Sequence, residues 1–239
     1  MTFTVASAFV GLLAAASSVS SAAIQRRAVI SHDAITPWPE NVPGDAIGNT
    51  LKRFEPFLHI AHGCQSYPAV DGEGNTGGGL KNTGSPSGGC RDLSKGQTYV
   101  RADYHNGKYG IMYAWYFPKD SPSSSLGHRH DWEHVVVWVD DPTAAEPQLL
   151  GTAASGHGGY KKTATPNLDG TRPKVEYFTS FPTNHELQFT DTLGRDLPMM
   201  WYDFFPQVSK DALETTDFGS AIVPFKNSNF LGNLAKAEV

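Results

Sequence analysis

Apolar and polar residues alternate through "TYVRADY", Thr98 to Tyr104, and "HNGK" then supplies an Asn-Gly turn before a second run from Tyr109 to Phe117. Period-two alternation on both sides of Asn-Gly predicts a β-hairpin. The second arm is apolar on both faces, with Ile111, Tyr113, Trp115 and Phe117 opposite Met112, Ala114 and Tyr116. A strand of that kind must be covered from both sides. "HVVVWV", ending before Pro142, predicts another buried strand, and "FLHIAHGC", "QLLGTAAS" and "RPKVEYFTSF" add three more. The last two are separated by a Gly/Lys/Pro-rich loop from Gly156 to Arg172. Helical periodicity is confined to short stretches. In "PGDAIGNTLKRFEPF" the residues Ile47, Leu51 and Phe54 share a face and Pro56 stops the run. "VSKDALETTDFG" reads as a second helix, with Asp211 and Glu214 spaced as a capping box and Gly219 past its end. There is no internal repeat. Short strands with turn signals and few helices predict a mainly β fold, a β-sandwich flanked by helices.

The opening of the chain departs from this pattern. "FTVASAFVGLLAAASSVSSAA" is apolar, uncharged and ends in small residues. It predicts a secretory signal peptide over residues 1–22, cleaved near Ala22 or Ala23, followed by one domain over 23–239. The pair Arg26-Arg27 is either a processing site or an ordinary exposed pair. Secretion changes the reading of the two cysteines, Cys64 and Cys90, which then favour a disulfide. It would close a Gly/Ser-rich segment with little intrinsic order, for about 3 kcal/mol on chain-entropy arithmetic.

The net charge of −5, with no basic cluster beyond Lys161-Lys162, argues against nucleic acid as a partner. It argues equally against simple attraction to anionic lipid. Any membrane partner would need a specific headgroup site.

Between a Ser-rich loop and "HVVVWV" stands "GHRHDWE", Gly127 to Glu133, a poor way to build a core. If "DWEHVVVWV" is one strand, Asp131, Glu133, Val135 and Val137 share one face, and Trp132, His134, Val136 and Trp138 the other. Carboxylates two apart on a strand lie about 7 Å apart, close enough to share a cation. His128 falls on the wrong face of a continuous strand, so the extended run is expected to begin near His130, with His128 in the loop. Asp120, in the preceding loop, is near enough to fold back. Carboxylates with one imidazole suit Mg²⁺, Ca²⁺ or Mn²⁺, while a nitrogen ligand tilts towards Mn²⁺ or Zn²⁺. The competing reading makes Arg129 a simple ion-pair partner of Asp131 or Glu133. His134 reads as a hydrogen-bonded residue at the core edge. Trp201, in "LPMMWYDFF", is open between an exposed anchor and a core residue.

The heptapeptide resembles the hallmark motif of the necrosis- and ethylene-inducing-peptide-like proteins, secreted toxins of plant-associated microbes. The resemblance continues through "GIMYAWYFPKDSPSSSLGHRHDWEHVVVW" and the late "DFGSAIVPFKNSNF", and covers nearly all of the chain after the leader. Two cysteines match the family's one-disulfide type. The resemblance implies an actinoporin-like β-sandwich and a cytolysin rather than an enzyme, acting outside the cell at the host plasma membrane. By motif it implies a divalent cation, Mg²⁺ or Ca²⁺, at Asp120, His128, Asp131 and Glu133. The implied partner is glycosyl inositol phosphoryl ceramide, a plant sphingolipid, with Trp201 as a membrane or headgroup contact. It also implies that a plant pattern-recognition receptor reads the segment Gly110–Glu133. Two alternatives stand beside this. One is an extracellular metal-dependent hydrolase with Glu133 or His130 as base; the other is a non-toxic member that only triggers immunity.

Overall fold

The Asn-Gly hairpin is the centre of the molecule. In this computed structural model, Met1, residues 27–179 and residues 184–239 are described. The predicted signal peptide, Met1 apart, and Arg26 of the dibasic pair lie outside the described residues. In chain order the strands are β1 (Val29–Ile30), β2 (Phe57–Ile60), β3 (Thr76–Gly77), β4 (Thr98–His105), β5 (Lys108–Asp120) and β6 (His128–Val139). They continue as β7 (Leu149–Gly156), β8 (Gly159–Thr163), β9 (Leu168–Asp169), β10 (Arg172–Thr179), β11 (His185–Phe189) and β12 (Met199–Trp201). The helices are α1 (Ala46–Phe54), α2 (Gln207–Thr215) and α3 (Phe230–Ala237).

A six-stranded sheet runs in the order β12-β4-β5-β6-β7-β8, and a smaller one in the order β11-β10-β2 with β9 paired to β10. The long antiparallel pair β5–β6 carries the register, with Tyr113 opposite Val135, Trp115 opposite Glu133 and Phe117 opposite Asp131. The strands are fully buried here because both faces are covered. On one face the rings of Phe117 and Tyr177 stack 3.9 Å apart, joining the two sheets, and the Tyr113 hydroxyl donates to the Leu51 carbonyl of α1 at 2.8 Å. On the other face Trp132 packs edge-on to Phe218 and Phe225, and the Trp138 indole donates to the Ala237 carbonyl of α3. The result is a β-sandwich flanked by helices.

The predicted turn is present, with Asn106 and Gly107 both left-handed at φ 49° and 78°, the geometry that Asn-Gly hairpins favour. α1 begins at an Asp45 cap that accepts the Gly48 N–H at 3.1 Å and stops before Pro56, as expected. Three expectations need correction. α2 starts one residue after Pro206 with no side-chain cap. Asp211 lies inside it and accepts from Gln207 at 2.7 Å, so no capping box forms. The stretch Gly156–Arg172 is not all loop: its lysines and tyrosine pair with β7 as β8. α3, not expected from periodicity, closes the helical face. The last two residues of the expected strand "RPKVEYFTSF" lie outside the described residues.

Cys64 and Cys90 are disulfide-bonded with Cα atoms 5.1 Å apart. Between them, Tyr67 donates its N–H to the Tyr116 carbonyl, so the Gly-rich segment is laid directly on β5.

Candidate functional site

The free ends of β5 and β6 build the site. Asp120 is the last residue of β5 rather than part of a loop, and His128 is the first of β6, directly opposite it. The expectation that the strand begins near His130 is therefore corrected. Regular pleating would nevertheless point Asp120 and His128 to the helical face. At His130, left-handed at φ 61°, the regular pleat of β6 is broken, and the paired register of the two strands skips Pro118 and His130. Beyond this break the Asp120 carboxylate lies towards the second sheet, where it meets His185 Nδ1 at 2.6 Å and accepts the His185 N–H at 3.1 and 3.2 Å. His128 Nε2 stands 3.8 Å from Asp120 Oδ2. Its Nδ1 is fixed 2.8 Å from the His130 carbonyl.

Asp131 and Glu133 follow on the same side, as alternation requires. Tyr177 of β10 donates to Asp131 Oδ2 at 2.7 Å, and the Trp132 N–H donates to Oδ1 at 2.9 Å. The Ser155 hydroxyl of β7 donates to Glu133 Oε2. All four predicted residues, Asp120, His128, Asp131 and Glu133, line one cavity of about 390 Å³, a size ordinary for a small-molecule site. Its far wall is formed by the β7–β8 turn with Tyr160, the stretch Ser220–Ile222, and Asn233 and Lys236 of α3.

Electrostatics set this cavity apart from the rest of the surface. Burial and the neighbouring Asp120 charge push Asp131 up to about 7, against the hydrogen bond from Tyr177. Burial and the Asp131 charge hold Glu133 well above the usual carboxylate range. Among the described residues no Lys or Arg pairs with Asp120, Asp131 or Glu133. Arg129 in particular turns away, donating to the Gly78 and Gly79 carbonyls at 2.6 and 3.3 Å. The reading of Arg129 as their ion-pair partner is thus excluded. Among the described residues no three His, Cys, Asp or Glu side chains already stand at ligating geometry around one point. What the donor set offers is composition: three acids and an imidazole on one wall, with their charge unbalanced.

The histidines that follow are structural. His130 Nδ1 meets the Tyr116 hydroxyl at 2.6 Å and its ring packs edge-on to Phe218. Burial, with Arg129 assisting, lowers it to about 4, and it does not line the cavity. That leaves Glu133 alone of the two alternative bases in the hydrolase reading. His134 is buried, bonded through Nε2 to the Tyr160 hydroxyl at 2.6 Å and lowered by burial to about 3, a neutral residue at the core edge as expected.

Comparison with known proteins fits this geometry. The profile of the family described as necrosis inducing protein (NPP1) matches residues 48–237. The chain belongs to this family. The necrosis-inducing protein NPP1 of Phytophthora nicotianae is 45% identical over 227 residues, spanning 93% of this chain and 95% of its own. NLP effector protein 10 of Phytophthora capsici is 46% identical over 216 residues, spanning 89% of this chain and 92% of its own. Among solved structures, NLPPya in complex with mannosamine superposes with TM-score 0.84 at 48% identity, covering 89% of this chain and all of that one. The non-toxic HaNLP3 protein does so with TM-score 0.83 at 41% identity, covering 86% and 98%. This necrosis-inducing fold is therefore shared by toxic and non-toxic proteins.

Within the family frame, one predicted contact moves. Trp201 lies on β12, hydrogen-bonded through its backbone to Asn41 at 2.9 Å and paired with β4, and only 8% of it is exposed. The expected exposed indole is corrected to a core residue. "MMW" reads as a strand only once β4 is there to pair with it. Sequence reasoning also missed Tyr177, His185, Ser155 and Tyr160, which orient or wall the site from other strands. Tyr177 carried a signal, because alternation in "KVEYF" sends Val175 and Tyr177 inward together and a buried phenol needs an acceptor. His185 and Ser155 carried none, since only tertiary folding sets them beside the acids.

Proposed function

We propose that this protein is a secreted cytolysin that recognises the headgroup of a plant plasma-membrane sphingolipid, glycosyl inositol phosphoryl ceramide, through a divalent cation held by Asp120, His128, Asp131 and Glu133. The observation that carries the reading is the convergence of three buried carboxyls and one imidazole on a single cavity, with no Lys or Arg ion-paired to them among the described residues, Lys236 lying on the opposite wall. Buried acids in contact repel unless protonated or bridged by a counter-charge. Mg²⁺ or Ca²⁺ would supply it with oxygen ligation, and would also polarise sugar hydroxyls. The cavity wall then provides the groups that orient a sugar ring: the Tyr160 and Ser155 hydroxyls and the Asn233 amide. One solved relative, NLPPya, is in complex with mannosamine in one structure and with glucosamine in another, which supports a sugar as the group recognised.

The relatives are named toxins and effector proteins, and recognition followed by membrane damage needs no turnover. Among the described residues no helix is long and apolar enough to cross a membrane, so damage would follow docking rather than insertion of such a helix. The receptor segment Gly110–Glu133 is buried throughout β5 and most of β6. A plant receptor would therefore reach only the exposed Ser124–Gly127 and Arg129 on the folded protein, and the strand portions after proteolysis or unfolding. A second reading has a specific observation behind it: the non-toxic HaNLP3 shares the fold, so an immunogenic protein without lytic activity is the alternative.

Dye leakage separates them. Vesicles containing the plant sphingolipid should release dye in the presence of divalent cation and retain it in excess chelator. Vesicles of phosphatidylcholine alone should stay intact in both. Retention under all conditions by folded protein would contradict the cytolysin and leave the immunogenic reading.

A further inference from the structure

Asn82 lies in the disulfide-closed segment, 45 residues before Gly127. Its side-chain amide donates to the Gly127 carbonyl at 2.9 Å. Its own backbone carbonyl accepts the Ser125 N–H at 2.7 Å, with the Ser121 hydroxyl 3.4 Å away. One residue thus grips the loop 121–127 at two points. Within itself the loop has less: Leu126 N–H to the Ser123 carbonyl at 3.1 Å, and the Ser121 hydroxyl to the same carbonyl at 2.9 Å.

Flanking contacts hold Asn82 itself in place. Leu80 donates to the Pro118 carbonyl at 2.7 Å, the Gly84 N–H to the Ser124 hydroxyl at 3.2 Å, and buried Lys119 to the Ser85 carbonyl at 2.8 Å. The grip falls at the place where geometry is least forgiving. Gly127 is left-handed at φ 88°, and a Cβ there would stand 2.1 Å from the Asp120 carbonyl oxygen. The bonded carbonyl belongs to the peptide that leads directly into His128. The plane of that peptide sets where the imidazole starts, and the imidazole must end beside Asp120.

We infer that Asn82 is a positioning residue for His128: by fixing the Gly127 carbonyl it holds the imidazole against Asp120 in the cavity. The inference rests on the reading that His128 helps to hold a divalent cation. Groups that orient ligands typically change metal affinity by about 10-fold to 100-fold when removed.

The test is calorimetric titration of the full secreted protein with Mn²⁺ alone, for wild type, Asn82→Ala, His128→Ala and the double variant. Asn82→Ala should lose about tenfold in affinity, and the double variant should bind no more weakly than His128→Ala, because the two act through one imidazole. Asn75→Ala is the control. Its amide lies in the same segment but serves Asp71 and Ala28, so it should leave affinity unchanged. Unchanged affinity in Asn82→Ala, or full additivity in the double variant, would overturn the inference. If the wild type itself binds no cation, the site reading fails separately, and the His128 ring signals in NMR still decide the matter. They should shift in Asn82→Ala and stay put in Asn75→Ala; unmoved signals in Asn82→Ala would overturn the positioning role.

Discussion

Asp131 receives hydrogen bonds from Tyr177 and from the Trp132 backbone, yet its carboxyl still sits at about 7 because burial and Asp120 outweigh both. Its ionisation is therefore held back until a counter-charge arrives. Two consequences follow at this scale. Cation binding must displace protons from Asp131 and Glu133, so divalent affinity should rise with pH up to about 7 and protons should be released on binding, measurable by calorimetry in buffers of different ionisation enthalpy. An affinity independent of pH between 5 and 8, in round numbers, would contradict the raised carboxyls. Asp131→Asn should weaken divalent binding and abolish leakage while changing the melting temperature of the metal-free protein little at neutral pH, since the repelling charge it removes offsets the one hydrogen bond, from Tyr177 or the Trp132 N–H, that the amide nitrogen cannot accept. Trp201 behaves in the opposite way. Buried on β12, its replacement by Ala should cost about 3–5 kcal/mol of stability, lowering the melting point by roughly 10 °C. A Trp201→Ala protein with an unchanged melt but lost membrane binding would restore the exposed-anchor reading.

Among the elements, legibility followed local pattern. β4, β5, β7 and α1 were readable because alternation, the Asn-Gly turn and the Pro56 stop are all local. β6 was readable from Asp131 onward but not before, because a left-handed His130 is not a residue that alternation can announce. Asp120 and His128 lie beyond the unpaired Pro118 and His130 and face the acids' side, which pleating alone denied. The false capping box in α2 shows the reverse error: the spacing of Asp211 and Glu214 was right, and Pro206 upstream had already started the helix. α3 was missed because its apolar face only makes sense against Trp138 and Arg101, whose guanidinium lies 4.5 Å from the Phe230 ring centre. The disulfide was legible from composition, and its element-scale consequence is that the segment 65–89 braces both β5 and the heptapeptide loop. Reduction should lower the melting temperature by several degrees, from a loop-closure contribution of about 3 kcal/mol. A melt unmoved by reductant, with both thiols shown to be free by alkylation, would mean that the contacts to β5 suffice alone.

For the whole molecule, a buried acid outside the site links parts that the site does not. Glu55, at the end of α1, and Asp196, before β12, meet the same Arg172 guanidinium of β10 at 3.0 and 2.5 Å. Burial, with Asp196 adding to it and Arg172 only partly offsetting it, pushes Glu55 up to about 9. A raised acid lends its stability in full below its unfolded pKa of about 4.3 and loses it as pH rises through the folded value. Wild type should therefore melt progressively lower from mildly acidic to alkaline pH, and Glu55→Gln should flatten that slope, gaining relative to wild type on the alkaline side. Equal slopes by calorimetry would show Glu55 to be ionised throughout.

The fold alone does not confer toxicity, since a non-toxic protein shares this architecture. On the proposed reading, a cation in the acidic pocket joins the protein to a sphingolipid headgroup. Co-sedimentation with vesicles that differ only in glycosyl inositol phosphoryl ceramide tests it most directly, with wild type and Asp131→Asn each run in Mg²⁺ and in chelator. Wild type should pellet only with the sphingolipid and Mg²⁺ together, and Asp131→Asn in neither condition. Equal pelleting of wild type with and without Mg²⁺, or of Asp131→Asn alongside it, would contradict the account.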